Sequence, residues 1–223
     1  MTQATYDPTR TGLLLVDPFN DFLAPEGKLW PFVKEVAEAV DLLPHLRQIV
    51  AAARKAGIQL FFVPHHHWEE GDYATWKHAN RTQIASGKRQ LFARGSWGGD
   101  YHPDFQPQQG EVIVKEHWAQ SGFANTDLDH QLKMHGIEII ILIGMLANTC
   151  IESTGRFGME LGYHVTLVKD ATAAFSQEAM HAAHSINGPT FAHEIVTTSE
   201  LLLNLAHLCS SDTASGSAPS AAV

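Results

Sequence analysis

Cysteine is scarce in this chain of 223 residues, which contains only Cys150 and Cys209. Two cysteines are too few for the disulfide framework of a small secreted protein. The first residues also lack the apolar core of a signal peptide. We therefore expect a protein of the reducing cytoplasm.

Basic residues and long apolar runs are scarce as well. The chain has 15 Lys and Arg against 24 Asp and Glu, which gives a formal charge of -9, and no basic stripe. Nucleic acid and anionic membrane surfaces are poor partners for such a chain. No apolar run approaches the roughly 18 residues of a membrane span, and no Gly-x-Gly-x-x-Gly motif of a dinucleotide-binding oxidoreductase follows a strand-like run. A small-molecule substrate is the expected partner.

Apolar, strand-like runs alternate with helix-length periodic segments along most of the chain. This alternation predicts a three-layer α/β/α fold, in which helices cover both faces of a central, mostly parallel sheet of about six strands. The predicted strands are residues 11–16, 58–63, 112–114, 138–143, 163–168 and 194–196, and the predicted helices are 33–55 with an interruption at Asp41 as N-cap, 128–135, 149–161, 177–183 and 199–207. With 44% hydrophobic residues, a single domain over residues 1–208 can build a sizeable core.

Two segments lack this periodicity. Residues 64–110 are rich in His, Trp and Gly, and we expect a functional loop region because structureless stretches of this length are uncommon in compact domains. Residues 209–223 are a low-complexity segment that we expect to form a disordered tail.

Three apolar runs lead into residues with reactive or charged side chains: Asp17, Lys115 and Cys150. In an open parallel sheet the carboxyl ends of the strands meet in one crevice, so these side chains could share a site. Each also has a simpler interpretation, because Asp17 could be a turn residue before Pro18, Lys115 an exposed charge and Cys150 a buried structural cysteine. The coincidence of three strand ends favours a site.

At this point the sequence resembles the isochorismatase-like cysteine hydrolases, a family that includes nicotinamidases and N-carbamoyl amide hydrolases. The resemblance covers roughly residues 10–200. Its motifs are LVDPFNDF at 15–22, KEHWAQSGF at 115–123, TDL at 126–128, GMLANTCIESTGR at 144–156, GYHV at 162–165 and DATAA at 170–174. It implies catalysis by Asp17, Lys115 and Cys150, a cis peptide bond between Met145 and Leu146, and an oxyanion hole formed by the backbone N–H groups of Leu146 and Cys150. Ala147 departs from the threonine that many relatives carry.

The three side chains could together hydrolyse an amide. Cys150 would attack as a thiolate, and the helix start together with the Lys115 ammonium would lower its pKa. Asp17 would carry the proton to the leaving nitrogen and later activate the water that hydrolyses the thioester. Lys115 would balance the two negative charges.

Aromatic and histidine residues in the loops are candidates for the substrate pocket. The pocket residues that we predict are Phe22, Trp68, His117, Trp118, Phe123, Met145 and Thr149. Nicotinamidases bind a metal near the position of His65, His66 and His67, with His102 as a further possible ligand, but the matching aspartate is missing here. We therefore expect neither a metal nor another cofactor.

Three functions remain open at this stage. The first is a cysteine hydrolase of a small amide or ureido C–N bond, which the intact trio favours. The second is the isochorismatase-type hydrolysis of a vinyl ether, and the third is a catalytically inactive relative that serves as a binding or assembly module. A homo-oligomer, either a dimer or a tetramer, is expected from the resemblance.

Overall fold

The computed structural model describes residues 6–211, with side chains up to Ala206. Its centre is a sheet of six parallel strands in the order β3-β2-β1-β4-β5-β6. The strands are β1 (Thr11–Val16), β2 (Gln59–Val63), β3 (Val112–Ile113), β4 (Ile139–Met145), β5 (His164–Ala173) and β6 (Glu194–Val196). The central strands β1 and β4 are apolar throughout because helices bury both of their faces.

Within the described residues, eight α-helices surround the sheet. They are α1 (Asn20–Leu23), α2 (Trp30–Ala39), α3 (Leu42–Lys55), α4 (Arg81–Arg89), α5 (Leu128–Met134), α6 (Glu152–Glu160), α7 (Gln177–His181) and α8 (Thr198–Ser211). Leu13 and Leu15 of β1 pack on one face of the sheet with α2, α3 and α8. Leu14 and Val16 pack on the other face with α5 and α6. The predicted three-layer α/β/α architecture is confirmed.

The largest difference from the predicted elements is in residues 64–110, the segment expected to be a loop region, which contains α4 and the 3-10 turns Trp97–Gly99 and Pro103–Phe105. The short helix α1 after β1 was also not predicted. Helix α4 buries none of its residues, so it has no apolar stripe that periodicity could detect. Its start does carry a signal, since Asn80 and Gln83 form a capping box.

Other differences concern the ends of elements. Asp41 interrupts the helical stretch as predicted, but in a left-handed conformation and without a side-chain cap. π-helical turns precede α6 at Ala147–Ile151 and follow α7 at Ala182–Asn187, and a 3-10 turn spans Gly188–Thr190. Helix α8 extends to Ser211, and the remainder of the predicted tail lies outside the described residues. None of the helices in the described part of the chain is both long and apolar enough to span a membrane.

Candidate active site

The candidate site lies where the direction of the strand order changes, between β1 and β4. Ligands of doubly wound sheets bind at this switch point, outside the carboxyl ends of the strands. Asp17 follows β1 directly, is fully buried, and adopts a left-handed backbone conformation with φ of 52°. Such a conformation is rare for a residue with a side chain and is often found at functional sites. Its backbone N–H donates to the carbonyl of Val63 at 3.1 Å.

Cys150 reaches the same point from β4. Gly144 has φ of 112°, and a side chain there would clash with the Val16 backbone, so only glycine lets the end of β4 approach β1 this closely. The peptide bond between Met145 and Leu146 is cis, at the position that the resemblance implies. The π-helical turn then places the Cys150 thiol in the interior, with its S–H directed to the Ala119 carbonyl at 3.8 Å.

The third member of the site is His117 and not Lys115. The His117 ring is fully buried, and its Nε2 donates to Oδ1 of Asp17 at 3.1 Å. A carboxylate oxygen of Asp17, a ring nitrogen of His117 and the Sγ of Cys150 all lie within 4.8 Å of one another. Within the described part of the chain, Oδ2 of Asp17 has no hydrogen-bond donor from nitrogen or oxygen, so it remains available to the thiol.

The structure does not bring Lys115 to the site, which corrects the sequence-based assignment. Lys115 is exposed, its backbone N–H donates to Asp127, and it lines a separate surface groove. The reason is a local irregularity beside β3: Phe62 pairs with Ile113, but three residues later His65 pairs with His117. One extra residue on the β3 side forms a bulge, which changes the side chain that points to the site.

The thiol is not activated in the way that the sequence suggests. Burial raises the pKa of Cys150 well above its ordinary value, and the neighbouring Asp17 carboxylate raises the pKa further. The Leu146 backbone N–H and the Thr149 hydroxyl act in the opposite direction but do not compensate. The expected lowering of the thiol pKa by a helix start and by Lys115 is therefore wrong, and the resting site holds a protonated thiol.

A cavity of about 450 Å³ opens above Cys150. Of the predicted pocket residues, Phe22 and Thr149 line this cavity, and so does Leu146 of the predicted oxyanion hole. The remaining walls come from Leu29, His65, Arg81, Thr82, Ala85, Ser86, Arg89, Leu91, Phe92, Ala119, Gln120 and Phe175, together with Asp17. A cavity of this volume is suitable for a small molecule.

Five predicted pocket residues do not line the cavity, and one of them is His117, which instead contacts Asp17. Phe123 and Met145 lie in the hydrophobic core, on opposite faces of the sheet. Trp118 stacks on His66 with ring centroids 3.7 Å apart, in the groove that contains Lys115. Trp68 packs near Gly87 of α4, outside the cavity lining. Apolar sequence context alone does not distinguish a buried aromatic residue from one that faces a ligand.

Two arginines at the cavity were not predicted. Arg81 and Arg89 lie on α4, and neither forms an ion pair with a carboxylate in the described part of the chain. The Arg89 guanidinium lies over the Phe32 ring at 5.3 Å from its centroid. The cavity therefore combines apolar walls and a buried thiol with two arginines that form no ion pair with a carboxylate of the described residues.

The histidines considered as metal ligands do not converge. His65 lines the cavity, and its Nδ1 donates to the His66 carbonyl; burial lowers the pKa of His65 to about 4, so its ring is neutral. His67 hydrogen-bonds to Glu116 and to the Gly99 carbonyl, while the His102 ring accepts from the backbone N–H of Asp104. Their ring nitrogens have separate hydrogen-bond partners.

A buried carboxylate holds the cavity loops together. Asp21 accepts from the backbone N–H groups of Lys28 at 3.1 Å and Phe92 at 2.8 Å, and Gly98 leaves room for its side chain. These bonds connect α1 with the chain segments before α2 and after α4. They fix Leu29 and Phe92, which form part of the cavity wall.

The combination of this sheet with a buried thiol, a neighbouring carboxylate and a small cavity at the switch point is typical of a class of protein: a small-molecule hydrolase built on a parallel α/β sheet. Comparison with known proteins gives the particular family. The model of the Isochorismatase domain family matches residues 11–200, and the chain belongs to this family.

Individual relatives agree with this assignment. The chain is 30% identical over 196 residues to the ureidoacrylate amidohydrolase RutB of Pantoea ananatis, covering 83% of this chain and 78% of the relative. A cysteine hydrolase from Pseudomonas syringae pv. phaseolicola 1448A has a similar structure, with a TM-score of 0.76, 26% identity and coverage of 93% of this chain and 100% of the other. The N-carbamoylsarcosine amidase of Thermoplasma acidophilum, at 22% identity and a TM-score of 0.63, covers 85% of this chain and 96% of its own and shares the fold.

Proposed function

We propose that the protein hydrolyses a C–N bond of a small amide or ureido compound through a covalent thioester on Cys150. The observation that carries this proposal is the convergence of Asp17, His117 and Cys150, with Asp17 and Cys150 lining a cavity of substrate size. The ureidoacrylate amidohydrolases among the relatives support C–N hydrolysis as the reaction type.

In the first half of the reaction, Oδ2 of Asp17 takes the thiol proton as the sulfur attacks the substrate carbonyl. The negative charge that develops on the carbonyl oxygen is stabilised by the backbone N–H groups of Leu146 and Cys150, a contribution worth about 10²–10³-fold per donor in comparable sites. Asp17 then gives its proton to the leaving nitrogen. The C–N bond breaks and a thioester remains on Cys150.

In the second half, water hydrolyses the thioester. The amine has left, so Asp17 is again a carboxylate and can remove a proton from the attacking water. The sulfur leaves and recovers its proton from Asp17. The Cys150 thiol and the Asp17 carboxylate are then back in their starting protonation states, and the acid product is released.

His117 takes the place that we had assigned to Lys115. Its Nε2–H holds Oδ1 of Asp17, which leaves Oδ2 directed to the sulfur. A hydrogen bond from a ring N–H can fix a carboxylate without supplying a permanent charge, whereas a lysine would always add one. In this site the aspartate is therefore oriented by a group that can exist as a neutral ring.

We also propose that the preferred substrate carries a carboxylate. The support is Arg81 and Arg89 at the cavity, neither of which has a carboxylate partner in the described protein. Arginine binds carboxylates through two parallel hydrogen bonds, which gives orientation as well as affinity. The name ureidoacrylate, borne by the relatives, describes a ureido group joined to such an acid.

The remaining parts of the proposal concern the state of the enzyme in the cell. We propose a homo-oligomer, a dimer or a tetramer, because closed symmetric assemblies are the commonest form of soluble enzymes. We also propose a cytoplasmic location, where thiols are kept reduced.

A substrate panel of ureido acids, carbamoyl compounds, neutral amides and isochorismate tests the function. We expect ammonia release from a ureido or carbamoyl acid, and a decrease of about 10³-fold or more in Cys150→Ala and in Asp17→Asn. His117→Ala should lose about 10²-fold. Lys115→Ala is the matched control and should stay within about twofold, as surface substitutions usually do.

The same panel distinguishes the alternatives. Pyruvate release from isochorismate that persists in Cys150→Ala would assign the protein to vinyl ether hydrolysis. A folded wild-type protein without turnover on any member of the panel would favour the inactive binding module. Either result would overturn the proposed reaction.

A further inference from the structure

The catalytic cluster contains the donor atoms of a metal site. Asp17, His117 and Cys150 are all buried, and they are the one set of three potential ligands that converges in this way among the described residues. We propose that this cluster binds a thiophilic divalent cation such as zinc, and that the bound cation reversibly inhibits the hydrolase. The inhibition rests on the proposed function, whereas the binding does not.

The types of donor atom fit such an ion. Thiolate sulfur, imidazole nitrogen and carboxylate oxygen are the three ligand types of protein zinc sites, with bonds of about 2.0–2.3 Å. The potential ligand atoms of the three residues lie within 4.8 Å of one another. In a tetrahedral site with bonds of this length, the ligand atoms lie closer together than this, so small side-chain movements would bring all three into contact with the cation. Three protein ligands leave a fourth position open toward the cavity, as in zinc sites that hold a water molecule.

The histidine is the residue that makes the site possible. A protonated lysine in this position could not bind a metal, because an ammonium group has three donors and no lone pair. In the proposed metal-bound state the neutral ring of His117 would bind the cation through Nε2, the nitrogen that faces Asp17, and would carry its proton on Nδ1, which has no hydrogen-bond partner in the described part of the chain. With His117 instead of a lysine at this position, the site therefore gains a metal ligand in place of a fixed positive charge.

The charge balance also favours a dication. When Cys150 is ionised, two negative charges share a buried space, and no Lys or Arg forms an ion pair with Asp17 in the described part of the chain. Binding of the cation displaces the thiol proton to solvent and pairs two negative charges with two positive charges. The electrostatic repulsion between the carboxylate and the thiolate is then compensated within the site.

Metal binding removes both the nucleophile and the proton carrier of the proposed reaction. The sulfur lone pair would be engaged in the metal bond and could not attack a carbonyl. Asp17 would be held as a ligand and could not accept the thiol proton. Inhibition should be reversible, since a chelator that removes the metal restores the thiol and the carboxylate.

The other histidine cluster offers no comparable site. His66 hydrogen-bonds to Glu116 at 3.0 Å and to Asp72 at 2.8 Å, so both of its ring nitrogens are engaged. Both ring nitrogens of His67 are engaged as well, with Glu116 and the Gly99 carbonyl. His66 is therefore the right position for a control that removes a histidine without touching the proposed ligands.

Titration with Co²⁺ as a spectroscopic substitute for zinc tests the binding. The full-length protein, freed of metal by chelation, should show a near-ultraviolet charge-transfer band of a cobalt–thiolate bond at one equivalent, and zinc should displace it. His117→Lys and Cys150→Ala should abolish this band and weaken zinc binding by at least about 100-fold, because even outer-shell changes cost about 10–100-fold. His66→Gln and Cys209→Ala should keep the cobalt–thiolate band and the zinc affinity. Circular dichroism establishes that each variant is folded.

Activity measurements complete the test. Zinc should inhibit ammonia release by the wild type, and a chelator should restore it. A cobalt–thiolate band that survives in Cys150→Ala, the absence of the band in the wild type, or activation by zinc would each overturn the proposal. If Cys150→Ala retains hydrolysis while the wild-type band is present, the proposed reaction fails and the metal site stands.

Discussion

At the scale of single residues, the reactivity of Cys150 depends on its neighbours Asp17 and His117. The pKa of the thiol is raised by burial and by the carboxylate beside it, so the thiol stays protonated at pH values where a free cysteine begins to ionise. In the proposed reaction, attack on a substrate therefore requires transfer of the thiol proton to Asp17. A protected thiol of this kind also reacts slowly with electrophiles other than the substrate.

Replacement of Asp17 should make Cys150 more reactive toward alkylating reagents, although it abolishes catalysis. In a Cys209→Ala background with chelator present, Asp17→Asn should speed labelling by iodoacetamide at pH 7 by about tenfold for each unit by which the thiol pKa falls. The rate of the parent protein should rise as the pH increases toward the raised pKa. Labelling followed by mass spectrometry across pH 6–10 gives both results.

Lys115→Ala is the control for this measurement and should label like the parent. Slower labelling of Asp17→Asn than of the parent would contradict the assigned electrostatics, because it would mean that the carboxylate favours the thiolate.

The sequence predicted Asp17 and Cys150 as catalytic residues, but it predicted His117 only as a residue of the substrate pocket. Asp17 and Cys150 follow long apolar strands, so their positions at the carboxyl edge could be read from the pattern. His117 could not be found in this way, because β3 is only two residues long and a one-residue bulge separates it from the site. A bulge changes which side chain faces the site but leaves little trace in an alternating pattern.

At the scale of elements, helix α4 forms one side of the cavity and carries its two arginines. The sequence did not predict this helix, since a nine-residue segment without buried side chains has no hydrophobic periodicity. The capping box at Asn80 was the available signal. Short helices of this length are marginal on their own, so the cap and the contacts around the cavity must hold α4 in place.

Substitution of the arginines should change substrate binding more than chemistry. We expect Arg81→Gln and Arg89→Gln each to raise KM for a carboxylate-bearing substrate by about tenfold, the loss of one charge-assisted hydrogen bond, with kcat nearly unchanged. Steady-state kinetics on a ureido acid and on its neutral amide counterpart provide the measurement. The neutral compound should show no such change.

Lys88→Gln is the matched control, because Lys88 is an exposed cation on the same helix that does not line the cavity. Equal effects of the three substitutions, or a preference of the wild type for the neutral compound, would refute the role of the arginines.

At the scale of the whole molecule, the architecture was predictable because the two central strands are almost entirely apolar and each crossover contains a helix. Parallel strands need such crossovers, and a strand buried on both faces must be apolar along its length. The surface was less predictable. Met134, Phe157 and Leu161 remain 68%, 44% and 39% exposed on or next to α5 and α6, which cover the same face of the sheet.

These exposed side chains favour self-association through the face formed by α5 and α6. Sedimentation velocity at micromolar concentration should show a dimer or a tetramer, and Phe157→Glu should shift the population toward the monomer because it places a charge in an apolar contact. Leu203→Glu, at another exposed apolar position, is the control. A monomeric wild type would contradict the proposed assembly.

Helix α4 touches the cavity but contributes nothing to the hydrophobic core. A substitution on the cavity side of α4 should therefore alter which substrates the enzyme accepts with little loss of folding stability. For protein engineering, the residues of α4 that face the cavity are the natural place to randomise first.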